Sequence, residues 1–279
     1  MSGLSGLAAS ARELAADYHL LTANFLNGPL PGVASSGAEA AFELNNACAI
    51  STDSALLLVS DMHVWDADIL ARSVAEGTLK ALYILLADGD ELESRAHEFF
   101  DTVPRFQAFI RYRRAEQLLA QVDNPNAPEW AGVHETMKLD AEAFRDSQGT
   151  SNGERQLIQT RWSFGGLVEQ LAALESLQPI AVLGFKYAMQ SHSVHKDADG
   201  TGWIYARQER DPLERDAADS GHGARIVHDL LDMATWRAAG AARVSSEDPS
   251  ALVGLEARNA AIRDALRKLE PAGLRDGRV

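Results

Sequence analysis

The chain has 279 residues, 46% hydrophobic and 24% charged, a composition of ordinary globular type and long enough to bury a core unaided. A formal net charge of -14 works against broad, nonspecific binding to nucleic acid. The single cysteine, Cys48, excludes an intramolecular disulfide, and no apolar run approaches the ~20 residues of a membrane-spanning helix.

Leu4, Leu7, Ala11, Leu14, Tyr18, Leu21 and Phe25 recur at helical spacing and predict a first helix. Gly28-Pro29-Leu30-Pro31-Gly32 should end it, because proline cannot continue the hydrogen-bond ladder. Further helices are expected over 38–60 and 65–87, the latter closed by Asp88-Gly89-Asp90. The run 91–120 is interrupted near Asp101–Pro104, where Asp101 is expected to cap the second piece. After the turn-rich stretch Asp123–Pro128 comes a weaker helix over 129–144. Ser151-Asn-Gly-Glu154 reads as a capping box that opens a long helical stretch, 155–193, bent near Gly165-Gly166 and Pro179. The segment 196–220 is charged, contains several glycines and reads as a long loop. Helices over 226–239 and 249–269 follow, the last capped by Ser246 or Asp248.

No alternating strand pattern competes, and β-branched residues are sparse. The expected fold is all-α, a multi-helix bundle with an appended C-terminal helical pair. Residues 1–200 would form the bundle domain. Residues 201–279 would supply a polar loop and C-terminal helices packed on it. The Met1-Ser-Gly-Leu start lacks the basic, apolar pattern of an export signal, so a cytoplasmic location is expected.

Nucleotide-binding glycine loops, GxSxG, HExxH and Glu-x-x-His pairs are absent from the sequence, so no cofactor is expected. Two polar constellations stand out instead. Arg72 and Glu76 lie four residues apart on one helix face, with Lys80 continuing the row. Tyr187, Ser191 and His195 follow at four-residue steps and offer a phenol, a hydroxyl and an imidazole. Each set also reads as a solvated helix face. His192 and His195 with Asp197 or Asp199 would make a metal site only with a further ligand such as His222 or His228, and no metal is expected.

A basic cluster, Arg105, Arg111, Arg113 and Arg114, is interleaved with Phe106, Phe109 and Tyr112. It suits RNA contacts, and equally an amphipathic helix whose arginines pair with neighbouring acids. Arg215 and His222, with six residues between them, match the loose arginine-to-histidine spacing of HEPN-superfamily ribonucleases.

The run from Leu70 through Arg72, Glu76 and Tyr83, followed by Phe106–Arg114, resembles the bacterial family catalogued as domain of unknown function 5677. The resemblance pairs an R-S-x-x-E helix with a later Y-x-x-x-S-x-x-x-H helix end, matched by Tyr187, Ser191 and His195, and covers roughly residues 60–199. It implies an all-helical protein, HEPN-like and abortive-infection-like in style, in which Arg72, Glu76, Tyr187, Ser191 and His195 converge between packed helices.

Two functions follow as expectations. One is a metal-independent ribonuclease in phage defence or a toxin system, with His195 as general acid or base, Arg72 stabilising phosphorane-like charge and Glu76 orienting either. RNA would then be a partner through the arginine cluster. The other is a non-enzymatic interaction or small-ligand-binding module, in which the same residues form a polar network. A homodimer or a protein partner is compatible with both.

Overall fold

The computed structural model describes residues 3–28, 35–195 and 198–269; the side chains of residues 35, 176, 189–195 and 199 lie outside that description. Among the described residues there is no strand, and the chain is an all-α multi-helix bundle. No described helix is long and apolar enough to cross a membrane.

The centre is built by α1 (Gly3–Asn27), α2 (Ser35–Ser60), α3 (Val64–Leu85) and α11 (Pro212–Val244). The expected heptad-like stripe on α1 is the face that is buried: Leu4, Ala8, Ala11, Leu14, Tyr18 and Phe25 all enter the core. Facing them are Leu56 and Val59 of α2, Val74 and Leu79 of α3, and Val227, Leu230 and Leu231 of α11. Burial of such side chains contributes about 1.5–3 kcal/mol each, which fixes the register of the four helices. α12 (Ser250–Arg267) crosses α1 and α11. Its start is held by Asp248, whose carboxylate accepts from the Ser250 N–H (2.9 Å).

The segment 196–220 departs from the expected loop. It contains α10 (Ala198–Gln208) and the first turns of α11. Asp211 caps α11 by accepting from the Leu213 and Glu214 N–H groups (2.9 and 3.0 Å), with Pro212 as the first helical residue. α11 is therefore 33 residues long, about 50 Å, and belongs to the core rather than to an appended pair.

The expected break near Asp101 is also different. α4 (Asp90–His97) runs through a π-helical turn (Glu98–Thr102) into α5 (Val103–Leu119). Asp101 lies inside that turn and makes no capping bond; it faces His97 at 3.5 Å and Arg105 at 3.9 Å. The turn aims Glu98 at the Trp162 indole N–H (2.7 Å) and Arg161 (3.1 Å). α5 pairs with α6 (Ala131–Ser147). The Ser151 capping box is present, Ser151 Oγ accepting from the Glu154 N–H at 3.1 Å. It opens α7 (Asn152–Arg161). α8 (Phe164–Ala172) and α9 (Ala181–His195) follow, separated by a 3-10 stretch containing Pro179.

Close approach of α1, α2, α3 and α11 requires glycine at position 223. A Cβ there would sit 2.6 Å from Leu4 Cδ2 and 3.2–3.3 Å from Val64 and Val59. Gly223→Ala should lower unfolding free energy by about 1–3 kcal/mol in urea denaturation, through overpacking. Gly254→Ala, on α12 with open space around it, should instead raise it by up to about 1 kcal/mol.

Candidate ligand-binding site

The largest cavity, about 640 Å³, lies where α9, α10 and α11 meet the N-terminal end of α3. α11 presents Asp219, His222, Arg225 and Asp229 to it at steps of three or four residues, so one helical face supplies them all. α10 presents Trp203, Arg207 and Arg210 in the same manner. α9 contributes Val182, Phe185 and Lys186, and α3 contributes Trp65 and Asp68. The walls are largely aromatic and aliphatic, and the charges sit on them as separate pairs.

Arg207 grips Asp219 through both carboxylate oxygens, linking α10 to α11. Lys186 of α9 meets Asp229 at 2.6 Å. Burial works to raise the Asp229 carboxyl, yet His228 and Lys186 together hold it below the ordinary carboxylate range. Arg225 donates to His222 Nδ1 at 3.3 Å. Arginine can only donate, so Nδ1 is the acceptor and the neutral ring carries its proton on Nε2. That Nε2 stands 3.9 Å from Asp68 Oδ2, beyond hydrogen-bond reach, while the ring lies against Trp65 with centroids 5.3 Å apart.

Two buried nitrogens of the lining, His222 Nε2 and Trp65 Nε1, have no hydrogen-bond partner among the described residues. Buried donors are almost always satisfied, so two orphans on one cavity wall mark a place where a ligand acceptor would be rewarded.

The residues singled out from sequence are partly brought together. The Arg72 guanidinium lies over the Tyr187 ring, 4.0 Å from its centroid, and Tyr187 in turn stacks on Phe164 at 3.6 Å. Arg72 and Tyr187, from α3 and α9, thus do converge. Glu76 does not join them; it accepts from Lys80 at 2.7 Å, as a ladder on a half-exposed helix face. Arg72 Nη1 is buried without a hydrogen-bond partner among the described residues. The side chains of Ser191, His192 and His195 fall outside the described residues, as do Lys196 and Asp197. Tyr187 also lines a narrow cavity of about 10 Å³ with Asp68, Lys186 and Asp229, three residues of the large cavity's wall. The Arg72–Tyr187 pair is therefore the back of the large pocket rather than its centre.

Among the described residues no cluster of three or more His, Cys, Asp or Glu could hold a metal ion. In the arginine cluster, Arg111 is bidentate on Asp140 (2.8 and 2.9 Å), Arg113 meets Glu116 at 3.1 Å, and Arg105 faces Asp101. Phe109 and Tyr112 both stack on Phe144 of α6. These rings hold the α5–α6 pair together.

His222, Trp65, Asp68 and Arg225 were not paired by sequence reasoning. The Arg215-to-His222 spacing did draw attention to His222, and Asp211-Pro212 marked the helix that carries it. Compared with models of protein families, with curated proteins and with solved structures, the chain has no match.

Burial is the largest influence on His222, ahead of Asp68, and it lowers the imidazole pKa. The ring should titrate below the ordinary histidine value of ~6.5 in a two-dimensional NMR pH series. Because the neutral form is the one favoured by folding, its contribution to stability is present above ~6.5 and is lost as pH falls below that. Titration above ~6.5 would show that Asp68 outweighs burial.

Proposed function

We propose that this chain is a small-ligand-binding helical module whose site is the cavity between α9, α10, α11 and α3. One observation carries the reading: a cavity of about 640 Å³, mostly apolar in lining, with convergent charged groups and two orphaned buried donors. Its size falls in the ordinary range for small-molecule sites, roughly 300–1,000 Å³. Trp65, Trp203 and Phe185 suit a planar, apolar ligand body. Arg225 and Arg210 favour an anionic group on it, and the Nε2–H of His222 favours an acceptor.

The probe 8-anilinonaphthalene-1-sulfonate has this chemistry, an aromatic body with one anionic group. The native chain should bind it saturably at one site, with quenching of tryptophan emission. Trp203→Ala and Arg225→Gln should each weaken binding about tenfold or more. Unchanged affinity in both variants would remove the cavity from the binding reaction.

A second reading keeps the HEPN-like, metal-independent ribonuclease of phage-defence or toxin type suggested by the resemblance to domain of unknown function 5677. It is favoured by the position of His222, which ends the Arg215–His222 spacing and lies neutral on the cavity wall beside Asp68 and Arg225. A neutral imidazole is competent to accept a proton, and Arg225 is placed to meet developing negative charge. On this reading His222→Ala should reduce cleavage of a single-stranded RNA about 100-fold. His195→Ala is the parallel variant, because the resemblance assigns the proton transfer there. Absence of RNA cleavage by the unaltered chain leaves binding alone.

A further inference from the structure

A second cavity, about 360 Å³, opens between α1 and α2 on the side of the bundle that carries Arg237. Arg237 is 2% exposed. Its guanidinium donates to Asn45 Oδ1 (3.3 Å) and Thr78 Oγ1 (2.5 Å), both neutral oxygens, and burial lowers its affinity for the proton. A buried cation without an anionic partner carries a desolvation penalty that hydrogen bonds to neutral groups offset only in part. Arg237 also lines the cavity.

The other polar groups of the wall are donors too. Because Arg237 must donate to Asn45 Oδ1, the Asn45 amide nitrogen is turned towards His19 Nδ1, 2.9 Å away. His19 Nδ1 is then the acceptor, and Nε2 holds the proton. The positive field is felt at His19: burial first, then Arg237, lowers its imidazole pKa. Thr52 is 2% exposed, and its hydroxyl has no hydrogen-bond partner among the described residues. The one acid on the wall, Asp53, is half-exposed and held by Arg12 at 2.7 Å. Ala15, Ala16, Ala49 and Ile50 complete the lining with apolar surface.

We infer that this cleft is a second binding site, distinct from the large cavity, for a small molecule that carries a carboxylate or phosphate on a compact apolar body. Arg237 supplies the counter-charge, and Thr52 and His19 supply further hydrogen bonds. The two oxyanions share this chemistry and differ in charge and shape, so they are separate arms of one test.

The test is thermal melting of the full chain in rising sodium phosphate and, separately, sodium propionate, each against sodium chloride at equal ionic strength. A ligand bound only by the folded state raises the melting temperature in a saturable manner. At least one of the two anions should do so beyond the chloride control. Thr52→Val keeps the side chain's shape and removes the donor. It should raise the half-saturating concentration about tenfold, and Arg237→Met should abolish the anion-specific shift. If Arg237→Met does not fold, Thr52→Val and His19→Ala decide the matter. No anion-specific shift in the unaltered chain, or the same half-saturation in these variants, would overturn the inference.

Discussion

Charge buried without full compensation is the constraint on which much of this architecture turns. α11 runs through the middle of the molecule and carries Asp219, His222, Arg225, Asp229 and Arg237 along 33 residues. Such groups cost several kcal/mol each if left unpaired. Partners must therefore be brought from other helices: Arg207 from α10, Lys186 from α9, Asp68 from α3, Asn45 from α2. The polar face of α11 selects its neighbours at the N-terminal end as firmly as its apolar face does at the centre.

This arrangement also explains why cavities occur where they do. Apolar faces close upon one another at native density, as where Gly223 lets Leu4 and Val59 approach. Charged pairs with long side chains hold helices apart. Between α10 and α11 the Arg207–Asp219 link spans the gap, and the aromatic walls below it are left uncovered. Asp229 and Arg237 are eight residues apart, about 12 Å along the axis, so both proposed sites are referenced to one rigid rod.

The apolar framework was readable because it repeats: Leu4 to Phe25 spells out its buried face in steps of three and four. The Ser151 capping box was readable for a similar reason, since its residues are adjacent and their bonds local. The segment 196–220 was misread because its periodic residues are charged. Trp203 and Arg207, then Asp219 and His222, keep helical spacing, but a search for apolar periodicity passes over them. Of the site, the Arg72–Tyr187 contact could be anticipated from two motifs taken together. The meeting of Trp65, Asp68, Lys186, Arg207 and His222 could not. Those residues lie more than 150 positions apart at the extremes, and only the packing of four helices brings them to one wall.

The π-helical turn at Glu98–Thr102 has a bearing on how this chain can vary. A π turn holds one residue more than the α-helical ladder needs. Removing any one residue from this stretch would let α4 and α5 join as one regular helix, at little local cost. Everything beyond it would then be rotated by ~100°. Arg111 would leave Asp140, and Phe109 would leave Phe144, so α6 would lose its seat. In this stretch the number of residues matters more than their identity: substitutions would be absorbed, and a single deletion would act far from where it was made.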